Sequence, residues 1–133
     1  MEQLYALIDP ALEDAIQSIN DGTDPVIPFT LILLKDGKAG INRFIANDYE
    51  EAIDRARNKI VREKENIQGY VIGWSGYVDH EGHKRDAIII EAALLDQEHS
   101  SRYYLAYQPP SDGEQLKEIS NVKIFERPNN LLK

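Results

Sequence analysis

The chain has 133 residues, a net charge of −8 and no cysteine, with 42% hydrophobic and 29% charged residues. These are the proportions of one globular domain with an ordinary core, and they exclude wholesale disorder. The missing cysteines exclude a disulfide framework, a thiolate metal site and a cysteine nucleophile, and the acid excess repels phosphate backbones and so sets nucleic-acid binding aside.

The opening "MEQLYALIDPALEDA" has no basic n-region and is interrupted by acids and a proline, so no secretory signal is expected. A helix is predicted from Asp9 to about Asn20. Asp9 caps it, Pro10 takes the first helical position, and Leu12, Ala15, Ile16 and Ile19 form one apolar stripe. Residues 3–8 add a short preceding turn or helix. Gly22 stops the helix. The first 34 residues hold six acids and neither lysine nor arginine, which gives this helix an acidic outer face suited to a basic partner.

The run "PVIPFTLILL" is the longest apolar stretch, and it is too short to span a bilayer, so membrane contact is not expected. With the Asp36-Gly37 turn and the short run after it, it reads as a hairpin. "NDYEEAIDRARNKIVREKENI" is the clearest helix. Asn47 or Asp48 caps it, Glu50 or Glu51 completes a capping box, and Ala52, Ile53, Ala56, Ile60 and Ile67 turn to the core. Its bases Arg55, Arg57, Lys59, Arg62 and Lys64 spread around the helix, which makes a solvated face and not a phosphate-binding patch. Strands follow near 69–79, 83–95 and 101–108. "SDGEQLKE" reads as a turn into a short helix, "NVKIFE" as a final edge strand, and residues 128–133 as a loose C-terminal tail.

The expected fold class is therefore α+β. It is a single domain over residues 1–127, a twisted antiparallel sheet of about five or six strands with two main helices on one face, in the order α-β-β-α-β-β-β before the edge strand. That order resembles profilin-like and roadblock-like folds, a likeness of architecture that fixes no function.

The segment "YVDHEGHKRDAIII", residues 77–90, decides the candidate site through its register. A two-residue turn at Glu81-Gly82 would put His80 opposite His83 and require a left-handed glutamate. A three-residue loop, His80-Glu81-Gly82, gives the left-handed position to glycine and sets Asp79 opposite His83. The two-residue register would also set Glu91 opposite Ile72, among apolar residues, so the three-residue loop is expected. It gathers Tyr70, Ile72, Trp74, Val78, Ile88, Ile90 and Ala92 on a dry face and leaves Ser75, Tyr77, Arg85, Ile89 and Glu91 on a mixed one.

The two histidines then form part of an ordinary polar turn, and no metal or other cofactor is expected. "GWSGY" lacks the second glycine of a nucleophile elbow and lies inside a strand, while "KDGKAG" has no phosphate-loop pattern. No catalytic residue is assigned. Ser75, Tyr77, Arg85, Ile89 and Glu91 are the candidate binding residues, with Tyr103, Tyr104 and Tyr107 extending the aromatic surface. The expected function is a small acidic cytoplasmic binding or regulatory domain without catalysis, contacting a protein partner or a second copy of itself. The alternative is a small-ligand-binding protein or enzyme with its pocket on the mixed face, Glu91 serving as base and Arg85 as anion anchor.

Overall fold

The computed structural model describes residues 2–133. Helix α1 spans Glu2–Asn20 without interruption, strands β1 (Phe29–Leu34) and β2 (Ala39–Arg43) form the first hairpin, and helix α2 spans Tyr49–Glu63. Strands β3 (Ile67–His80), β4 (His83–Leu94) and β5 (Ser101–Gln108) follow, then the short β6 (Lys117–Glu118) and β7 (Lys123–Glu126). Every pairing is antiparallel, in the order β2-β1-β3-β4-β5-β6, with β7 also on the outer side of β5. The expected α+β fold and element order are thus observed. "SDGEQLKE" holds turns and β6 in place of the expected short helix.

Helix α1 begins seven residues earlier than Asp9 and carries Pro10 in its interior. Proline removes one helical hydrogen bond there. What offsets the loss is a long apolar stripe: Leu4, Leu7, Ile8, Ala11, Leu12, Ala15 and Ile19 are all buried in one cluster. Helix α2 follows its sequence signals except at Ile53, which is only half-buried. Asp48 caps it by accepting from the Glu51 N–H at 2.7 Å, and Ala52, Ala56 and Ile60 are buried.

The helices lie on opposite faces of the sheet, not on one. Strand alternation explains the division. Phe29, Leu31, Val71, Ile88, Ile90, Ala92 and Leu105 pack with α1. Ile32, Tyr70, Ile72 and Ala93 pack with Ala56 and Ile60 of α2. The C-terminal residues complete this second cluster. Leu132 is buried in it, and the buried Asn130 donates to the carbonyls of Leu94 and Gln97 at 2.9 and 2.7 Å. The expected loose tail at 128–133 is therefore corrected to a docked segment, because Leu132 is buried and the Asn130 amide bonds carbonyls at and just after the end of β4.

The hairpin register is the larger correction. His80 pairs with His83, and the turn is Glu81-Gly82, both with positive φ (53° and 82°). Asp79 consequently faces Lys84 and points to the opposite face from both histidines, so the three do not converge on a metal. Glu91 does stand opposite Ile72, the pairing that the apolar pattern argued against. It is tolerated because its carboxylate is neutralised in place by arginines from α2 and β5.

Gly73 shows how tightly the α1 face is packed. A methyl there would overlap the ring of Phe29, its partner across the β1–β3 pair, and crowd Ile90. Gly73→Ala should therefore cost about 1–3 kcal/mol through overpacking. Urea unfolding checks this, and Phe29→Leu in the same background should recover part of the loss. An alanine variant as stable as wild type would contradict the packing argument.

Candidate functional site

The corrected register divides the five candidate residues between two faces. Ser75 and Tyr77 belong to the α1 face; Arg85, Ile89 and Glu91 belong to the α2 face. No mixed face holding all five exists. On the α2 side Glu91 is fully buried, and its two oxygens receive Arg57 at 2.7 Å and Arg102 at 2.7 and 3.1 Å. Trp74 lies beside both guanidiniums, with its ring centre 5.4 and 5.7 Å from their central carbons. Burial works against the Arg102 charge, but the Glu91 and Glu126 carboxylates outweigh it and raise that pKa. Both Glu91 oxygens are occupied and out of solvent, held between the two arginines.

The same face explains His80. Tyr104 lies opposite Ile89, which lies opposite Trp74, six residues before His80 along β3. Yet His80 Nδ1 is 2.9 Å from the Tyr104 hydroxyl, and their rings meet edge to face at 5.9 Å. The long β3–β4 hairpin must therefore coil back across the sheet. Gly76, Ala87 and Ala106 stand side by side along it, small residues that let Ile89 pack closely against the strand. Arg85 is half-buried on this coiled part, and among the described residues its Nε has no hydrogen-bond partner.

Ser75 and Tyr77 instead open onto a cleft of about 410 Å³ on the other face. Its remaining walls are Asp24 and Pro25 after α1, Tyr49 at the start of α2, Gly76, Asp86 and Tyr107. Strand pairing builds the floor: Tyr77 lies opposite Asp86, and Asp86 opposite Tyr107, one row across β3, β4 and β5. The lid side is the loop from Asp21 to Pro28, tied to the sheet and to Tyr49 by side-chain hydrogen bonds. The Val26 N–H donates to Ser75 Oγ at 2.8 Å, and the Tyr49 hydroxyl accepts from the Ser75 N–H at 2.7 Å while donating to the Val26 carbonyl. The Tyr107 hydroxyl donates to Asp24 Oδ1 at 2.9 Å.

This wall is negative and aromatic. Burial, then the bond to Asp24 and the charges of Asp24 and Asp86, push the Tyr107 phenol well above its ordinary pKa. Burial likewise raises Tyr49, against the opposing effect of its bond from Ser75. No lysine or arginine lines the cleft, and among the described residues neither Asp24 nor Asp86 is in an ion pair. The ring of Tyr77 is 66% exposed, with the Lys84 ammonium 4.6 Å from its centre. An aromatic face in this position already attracts a cation from within the chain.

Sequence reasoning reached Ser75 and Tyr77 but missed Asp24, Tyr49 and Asp86, and it could not place Tyr107 on a face. The correct two-residue turn would have supplied the Tyr77–Asp86 pair, since alternation follows from register, but the place of Tyr107 depends on the separate β4–β5 register. Nothing local marks Asp24, which meets Tyr107 across 83 residues. No protein-family model matches this chain, nor does any curated protein or any solved structure. The likeness to profilin-like and roadblock-like folds therefore remains one of element order. No helix of the described residues is long and apolar enough to cross a membrane.

Proposed function

We propose that this chain is a non-catalytic binding domain that receives a lysine or arginine side chain of a protein partner in the Asp24–Tyr107 cleft. The observation that carries the reading is two carboxylates without counter-ions set among three tyrosines in a cleft of side-chain dimensions. A cation entering it gains from both charges and, where it displaces Lys84, from the Tyr77 ring. The hydroxyls of Ser75, Tyr49 and Tyr107 are each engaged in holding the loop against the sheet, which favours binding over chemistry. The net charge of −8 supports fast association with a basic protein surface and disfavours nucleic acid. The cysteine-free composition fits a reducing, cytoplasmic setting, and the reading requires no cofactor.

Titration with N-acetyl-lysine methylamide, followed by amide NMR, tests the site. Shifts should concentrate at Gly76, Tyr77 and Asp86, and the side-chain-acetylated analogue should produce none. Asp86→Asn should weaken binding by roughly three- to tenfold, and raising salt should weaken it further. Equal shifts with the neutral analogue, or shifts confined to another surface, would refute the reading.

A further inference from the structure

We propose that β2 joins two copies of this chain, antiparallel about a two-fold axis at Ile41, so that their sheets continue through the contact. The argument begins with the backbone of β2. The Lys38 carbonyl accepts from the Leu34 N–H at 2.8 Å, and the Phe44 N–H donates to the Pro28 carbonyl at 2.9 Å. In an antiparallel pair the groups that bond to the neighbour alternate with groups that point away. Lys38, Gly40, Asn42 and Phe44 therefore face β1, while Ala39, Ile41 and Arg43 direct their N–H and C=O groups outward. Among the described residues no backbone hydrogen bond uses these outward groups. All five residues of β2 are exposed.

Natural edges are usually blunted by proline, a bulge, a projecting charge or shortness. Strand β2 has neither a proline nor a bulge. Its pairing with β1 runs through five positions without irregularity, and its one charged residue, Arg43, is held by both oxygens of Asp14 at 2.9 and 3.0 Å. The opposite side of the sheet differs. There β5 is covered by the short β6 and β7, with a bulge between Arg102 and Tyr103.

A second copy fits this edge without a clash of charge. The three outward residues are symmetric about Ile41, so an identical antiparallel strand brings Ile41 to Ile41, Ala39 to Arg43 and Arg43 to Ala39. Each such pair exchanges two hydrogen bonds, about six in all. Between them Gly40 meets Asn42, and no like charges stand directly opposite. Ile41, 40% exposed in one chain, is covered by its own mate. The excess of acid is not at this edge: residues 35–43 carry Lys35, Lys38 and Arg43 against Asp36. A self-matching patch is what a two-fold contact requires, and this edge supplies one independently of the cleft.

Sedimentation equilibrium of the full chain, from about 1 to 200 µM, should show a dimer, a range in which interfaces of modest area are populated. Ile41→Pro removes the central outward N–H, which has no partner within one chain. It should leave the circular dichroism spectrum intact and raise the dissociation constant roughly thirtyfold or more. Ile41→Lys, which sets two ammonium groups at the axis, should act likewise, and Ile124→Lys on β7 should leave the dimer unchanged. Because the chain has no cysteine, Ile41→Cys introduces a single thiol whose mate lies about 5.5 Å away between Cα atoms, and mild oxidation should link the two copies. A wild-type mass of one chain throughout the range overturns the inference and leaves the edge to a strand of another protein. Dimers persisting in both Ile41→Pro and Ile41→Lys overturn it as well.

Discussion

Glu91→Ala should destabilise the protein by about 3–5 kcal/mol, the cost of removing one partner from a buried ionic network. The carboxylate is fully buried and bonded to Arg57 and Arg102, which retain 26% and 20% side-chain exposure. Truncation leaves two guanidiniums facing each other beside Trp74 with the charge that balanced them gone, and it opens a cavity at the centre of the sheet. The destabilisation comes from this imbalance more than from the bonds themselves. Glu91→Gln, which keeps the shape and one acceptor, should fall between alanine and wild type. Replacing all three with apolar residues of similar volume should recover most of the loss, since buried ion pairs contribute little beyond a well-packed hydrophobic set. Urea melts followed by the fluorescence of Trp74, the single tryptophan, measure all of these directly. A loss below about 1 kcal/mol for Glu91→Ala would mean that the network is not buried as described.

The same residue shows where sequence reading stops. The element order, the Asp48 cap, the β1–β2 turn and the spans of β3, β4 and β5 were all legible, because caps, turn residues and apolar runs are local signals. The face of β4 was not. Its register depends on whether Glu91 can be buried, and that depends on Arg57 and Arg102, which lie 34 and 11 residues away. A left-handed Glu81 costs something of order 1–2 kcal/mol. A sequence-based comparison counts that cost, and it cannot count a distant neutralisation of a charge. The cleft was legible only in part for the same reason: it draws on residues 24, 49, 75–77, 86 and 107. The C-terminal segment looked loose because its anchor, Asn130, finds its carbonyl partners in and just after β4. The register, the cleft and the C-terminal segment were misread where a polar side chain finds its partner elsewhere in the chain, and the division of the apolar residues between two sheet faces was lost with the register.

Two buried phenols lead to the second large effect, a loss of stability at alkaline pH. Tyr70 is fully buried and accepts from the Leu131 N–H at 3.3 Å; burial pushes its pKa from 10.0 up to about 12. Tyr107, 2% exposed, is raised further by burial together with Asp24 and Asp86. Below about pH 10 both phenols are protonated in the folded and unfolded chains alike, so they impose no pH dependence. Above it the unfolded chain releases protons that the folded chain retains, and stability falls by about 1.4 kcal/mol per pH unit for each phenol. Between pH 10 and about 12 Tyr70 alone should remove roughly 2–3 kcal/mol, with Tyr107 adding to the slope in the same direction. Urea melts at intervals from pH 8 to 12 should therefore be flat at first and then decline steeply. Tyr70→Phe and Tyr107→Phe should each flatten the decline, although Tyr107→Phe also releases the loop contact at Asp24 and should lower the plateau below pH 10. That separates the two tyrosines: one titrates within the α2-side core, the other within the wall of the cleft. A stability curve that stays level through pH 11 in the wild type would show that neither phenol is shielded from solvent, and the cleft would then lack the dry, negative wall on which its proposed preference for cations depends.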